Sequence, residues 1–146
     1  MRGKRNMLNE EIIKKNSSLL LLTCMLVKDY ESNKNSEYEK QKYWLFLNNC
    51  SFDELKIIYG FWWLGADCLS LELYPEQDFD IYNTDLSEEE KTYKKITVDN
   101  LDDYLKDSKG QFSDKTTLID TLMREFHYSG LFKALELANI DVSILD

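Results

Sequence analysis

Residues 55–73, LKIIYGFWWLGADCLSLEL, form the longest apolar run of the chain and hold two of its three tryptophans. How this stretch is read decides the fold. Ser51 stands before it with Glu54 three residues on, a capping box in which the serine oxygen accepts from the third helical N–H and the glutamate reaches back. Asp53 and Glu54 put negative charge where the helix dipole favours it. Phe52, Leu55, Tyr59, Trp62 and Ala66 recur at three- and four-residue spacing, one helical face, and Ile57, Phe61 and Leu64 fill much of the remaining circumference. A helix apolar nearly all round is buried in a core or a membrane. Residues 57–64 fall far short of the roughly 20 apolar residues a spanning helix needs, so the core is the expected setting.

Gly65 is suited to end that helix, because glycine takes the left-handed C′ conformation without steric cost. Beyond it Leu69, Leu71 and Leu73 alternate with Ser70, Glu72 and Tyr74, the pattern of a half-buried strand. Pro75-Glu76-Gln77-Asp78 then reads as a turn and residues 79–82 as a return strand. A helical turn at 87–91 and a third strand at 92–98, rich in β-formers, complete a small antiparallel sheet over residues 69–98.

Outward from this centre the signals are helical. Asn9 is a suitable N-cap, and the helix it opens carries a stripe of Ile12, Ile13, Leu19, Leu20, Val27 and Tyr30. Ser36 with Glu39 forms a second capping box, ahead of Tyr43, Trp44, Phe46 and Leu47. Asp99 caps a short helix with Leu101, Tyr104 and Leu105, and residues 106–113 read as a loop. Ser113 or Asp114 starts a helix striped by Leu118, Ile119, Leu122, Met123 and Phe126. Gly130 divides it from a last helix, for which Asn139 is the C-cap candidate. The expected fold class is therefore α+β: a helix-dominated single domain over residues 1–146, five or six helices beside the sheet, with residues 1–8 a flexible basic arm.

The composition, 43% hydrophobic and 13% aromatic, excludes intrinsic disorder. The basic opening followed by apolar residues 19–27 resembles a signal peptide, but Glu10-Glu11 and Lys14-Lys15 interrupt it and no small-x-small site follows Val27. Cys24, Cys50 and Cys68 lack metal-ligand spacing and read as reduced, buried thiols of a cytoplasmic protein.

The single histidine, His127, lies between Phe126 and Tyr128 without a nucleophile signature and reads as a surface or helix-terminal residue. Asp78, Asp80 and Glu89 sit at positions 1, 3 and 12 of a calcium loop, but Asn83 stands where that loop needs glycine. Asp102-Asp103 point in different directions on a helix, and no GxGxxG or Walker-type loop is present. Trp44, Trp62 and Trp63 at helical spacing read as core, since each buries so much surface. Neither a cofactor nor a metal is implied.

Charge is what remains. Residues 1–50 carry nine Lys/Arg against six Asp/Glu, a net of +3; residues 51–107 carry five against fifteen, −10; residues 108–146 carry four against six, −2, and the total is −9. Such a chain is poorly suited to neutralise phosphates directly. It suits a basic protein partner, docked by Glu72, Glu76, Asp78, Asp80, Asp85, Glu88, Glu89, Glu90, Asp99, Asp102 and Asp103, whose carboxylates imitate a run of phosphates or take Arg bidentately. The expected function is a non-enzymatic inhibitor, antitoxin or immunity-type protein acting on a nucleic-acid-binding partner, with no membrane involved. A carboxylate-dependent metal enzyme or hydrolase, and a small-ligand regulatory module with an aromatic pocket at Trp62 and Trp63, are the alternatives.

Overall fold

The computed structural model of the chain describes residues 2–33, 36–73, 97–124 and 126–145. These form six α-helices: α1 Arg2–Ser32, α2 Glu37–Asn49, α3 Phe52–Leu73, α4 Leu101–Gln111, α5 Lys115–Arg124 and α6 Tyr128–Leu137. Short 3₁₀ turns at Val98–Asn100 and Ser143–Leu145 precede α4 and close the chain. No strand occurs among the described residues.

The α+β expectation is therefore corrected to a helical fold, and the cause lies in the second half of α3. Its buried stripe, Ile58, Phe61, Leu64, Gly65 and Cys68, keeps helical spacing straight through the glycine. Leu69 and Leu71 are the half-buried flanks of that stripe, so their alternation with Ser70 and Glu72 is incidental to a 3.6-residue period. The first expected strand, 69–74, is helical to Leu73. The second, 79–82, and most of the third lie outside the described residues. Thr97 and Val98, the end of the third, are the cap and first residue of a 3₁₀ turn.

Gly65 is an interior residue of α3 because α6 crosses there. A Cβ on Gly65 would collide with the Gly130 carbonyl oxygen and lie 2.8 Å from the Ala134 amide nitrogen. A Cβ on Gly130 would lie 2.8 Å from Trp62 Nε1 and 3.3 Å from the Ala66 methyl carbon. Two glycines and two alanines thus let the backbones of α3 and α6 touch. Gly130 accordingly lies inside α6, and the expected break falls at Phe126-His127 instead.

On another face, α4 runs antiparallel to α3. Ser108 Oγ donates to the Lys56 carbonyl at 3.0 Å, and Tyr104 Oη to Asp67 Oδ2 at 2.6 Å. Gly60 makes room for Leu105, whose Cδ2 would stand 2.7 Å from an added Cβ. The loop expected over 106–113 is helix as far as Gln111.

Helix α1 packs on α2 and α6, burying Leu20, Cys24 and Val27 completely. It starts before Asn9, which is not its cap: Asn9 is buried and its Nδ2 donates to the Val98 carbonyl at 3.2 Å. Two further buried polar side chains are met locally, Thr23 by the Leu19 carbonyl at 2.7 Å and Asn16 by that of Ile12 at 2.8 Å. Tyr43 on α2 is fully buried and donates to the Leu122 carbonyl on α5 at 3.1 Å. No helix among the described residues is long and apolar enough to cross a membrane.

Candidate functional site

The antiparallel register of α3 and α4 gathers charge at one end of the pair. Asp67 is joined to Tyr104, so residues after 67 on α3 and before 104 on α4 share that end. There lie Asp67, Glu72, Asp99 and Asp103. Asp67, Glu72 and Asp103 have local structural uses. Asp102 and Asp103 occupy the first turn of α4, where the dipole favours carboxylates. Thr97 Oγ1 accepts from the Asp99 amide at 3.2 Å, while Asn100 Oδ1 accepts from the Thr97 amide at 3.0 Å.

Glu72 is in the last turn of α3, where negative charge is disfavoured. It is met from α6 by Lys133 Nζ at 2.8 Å, and this hydrogen bond raises the lysine's pKa above its ordinary value. Burial, and then the bond to Asp67, push the Tyr104 hydroxyl well above its ordinary pKa, so it stays a donor. The described acids at this end are thus a mixture of paired and solvent-facing carboxylates.

Of the eleven acids expected to dock a partner, Glu72, Asp99 and Asp103 come to this end. Asp102 is turned toward a groove between α1, α3 and α4. Glu76, Asp78, Asp80, Asp85, Glu88, Glu89 and Glu90 lie outside the described residues, as does the calcium-loop pattern they include. The chain leaves the described structure at Leu73 and returns at Thr97, both at the acidic end.

The other candidate chemistry resolves into structural roles. His127 is the N-cap residue of α6, its side chain 68% exposed and Nδ1 3.4 Å from Glu31 Oε1. The same glutamate oxygen accepts the Tyr128 amide at 2.8 Å, so α1 supplies the anion that caps α6. All three cysteines are buried thiols outside any disulfide. Burial pushes the Cys24 thiol up to about 12 and Cys50 to about 11, and raises Cys68, which keeps them protonated and unreactive. Among the described residues no three His, Cys, Asp or Glu side chains converge as metal ligands.

The tryptophans of α3 are packed edge-on: Trp62 against Phe126 at 5.4 Å and Trp63 against Tyr104 at 5.6 Å between ring centroids. Trp44, expected in the core, is instead 45% exposed on α2. It borders a shallow groove of about 420 Å³ against Met123 and Arg124 of α5.

A second, larger feature was not legible in the sequence. The groove that Asp102 faces has a volume of about 660 Å³ and is lined by Lys15, Lys56, Lys106 and Lys109. Only the pair 106/109 shares a helix; the other two lysines come from helices far away in the chain. No sequence signal links the three helices that carry them.

Comparison of the chain with protein-family models, with curated proteins and with solved structures finds no significant match.

Proposed function

We propose that this chain is a non-enzymatic binding protein of the inhibitor, antitoxin or immunity type, which docks a basic, nucleic-acid-binding protein through the acidic end of α3 and α4. One observation carries the reading. The pairing of Tyr104 with Asp67 brings Glu72, Asp99 and Asp103 to the end at which the segment holding seven further carboxylates joins the bundle. Charge concentrated this way steers a cationic partner, raising association rates by about 10–10³-fold at low salt. A cytoplasmic setting is part of the reading, in keeping with three buried thiols outside any disulfide.

The test is capture of partners from the native cell with the full chain as bait. The captured protein should be basic, should elute as NaCl is raised, and should be lost from the variant Asp99→Lys/Asp103→Lys. Capture that survives both the salt and the reversal overturns the reading.

A further inference from the structure

The lysine-lined groove is electrostatically out of place. In a chain of net charge −9, the four lysines here face only two carboxylates, Asp53 and Asp102, a local excess of two positive charges. Among the described residues none of the four lysines is ion-paired with either aspartate, so their charge is left to act on the groove. Lys56 instead lies over the Phe52 ring, 3.9 Å from its centroid. Ile57 and Leu105 supply an apolar wall.

The groove is assembled from three helices, which hold its sides at fixed spacing, and its volume is that of a small-molecule site. Ammonium groups bind phosphate as point charges, and carboxylates accept hydrogen bonds from hydroxyls. Four ammonium groups without an ion-pair partner among the described residues, Lys56 among them resting on the Phe52 ring, two carboxylates and an apolar wall therefore suit a ligand that carries phosphate, hydroxyls and a flat or aliphatic body together.

We infer that this groove binds a small organic phosphate of nucleotide size, its phosphates on Lys56, Lys106 and Lys109 and its hydroxyls toward Asp53 and Asp102. The site is separate from the acidic docking end, and Asp102, which faces the groove, probes it alone. Asp102→Asn removes a negative charge beside the lysines, so it tightens the hold on an anion.

The experiment is calorimetric titration of the full chain at low salt with three probes: ATP without divalent cation, inorganic pyrophosphate, and adenosine. ATP should bind saturably at one site, more tightly than pyrophosphate, with adenosine weakest. Lys56→Gln and Lys106→Gln should each weaken ATP at least tenfold, and Asp102→Asn should tighten pyrophosphate severalfold. Lys42→Gln, on α2 and outside the groove, should leave ATP binding unchanged.

The inference fails if no probe saturates at millimolar concentration, if Lys42→Gln costs as much as the groove variants, or if Asp102→Asn weakens pyrophosphate. Pyrophosphate binding as tightly as ATP would reduce the site to an inorganic-anion site. Tight binding of single-stranded DNA through the same lysines, with none of ATP, would make it a nucleic-acid surface; both overturn the assignment. Circular dichroism of each variant separates lost binding from lost fold.

Discussion

At the scale of single residues, the glycines of α3 and α6 decide how the bundle closes. Glycine inside a helix costs up to about 1 kcal/mol relative to alanine, so a free position would gain from Gly→Ala. At Gly65 that gain is outweighed, because the added methyl meets the backbone of Gly130 and Ala134, and backbone cannot swing aside as a side-chain tip can. Overpacking of this kind costs roughly 1–3 kcal/mol. Gly65→Ala should therefore lose about 1–2 kcal/mol net by urea denaturation. Gly110→Ala is the control: nothing lies within 4 Å of its added Cβ, so it should be neutral or stabilising by up to about 1 kcal/mol. Equal losses at the two sites would show that chain flexibility, rather than helix contact, governs Gly65. Sequence alone offered glycine's left-handed freedom as the reason for this residue; close approach, the true one, depends on a helix 65 positions away.

At the scale of elements, what could be read in advance was what is local. The Ser51–Glu54 capping box forms with both bonds, 3.0 Å from the Glu54 amide and 2.8 Å back from the Ser51 amide. Ser36 accepts from the Glu39 amide, and Asp114 Oδ1 from the Thr117 amide at 2.7 Å, so α2 and α5 begin where their caps said. Asn139 does end α6. It sits at φ 58°, with Ile140 donating to Leu135 and Asn139 to Glu136, both at 3.0 Å, a Schellman motif. What failed was the sheet, since three leucines at alternate positions fit a strand and a helix flank alike until the neighbour is known.

The seam of α1 with α2 carries a pH dependence no spacing announces. Burial raises the thiol of Cys24 from its ordinary value near 9 to about 12, and burial raises the Tyr43 hydroxyl as well. Raised pKa values mean that the folded state favours the neutral forms. Their stabilisation is complete below about pH 9, where the unfolded thiol is still protonated, and is lost as pH climbs toward 12. Urea midpoints should accordingly fall between pH 9 and 11, and less steeply in Cys24→Ala measured against its own value at pH 8. A flat profile, or an identical slope in the variant, would remove Cys24 from the account.

For the whole molecule, the charge distribution makes a claim about stability that stands apart from any partner. A net of −9, with −10 carried by residues 51–107, sets carboxylate against carboxylate in the folded state. Opposing this are ion pairs such as Arg124–Asp120, 2.7 Å apart but with both side chains more than half exposed, and such pairs contribute little. Repulsion therefore wins, and screening should relieve it. Raising NaCl from about 10 mM to 150 mM shortens the Debye length from about 30 Å to about 8 Å, enough to uncouple charges at opposite sides of the bundle. The melting temperature should rise by a few degrees, since about 1 kcal/mol corresponds to roughly 2–4 °C in a domain of this size. Asp99→Lys/Asp103→Lys should gain less from salt, although it loses the carboxylate that the N-terminus of α4 favours. Chloride is the salt to use, because phosphate would also occupy the lysine groove and, as a kosmotrope, stabilise any folded chain. A melting temperature that falls with NaCl would mean that the ion pairs outweigh the repulsion, and that the acids are a dispersed, compensated surface rather than a field capable of drawing in a cationic protein.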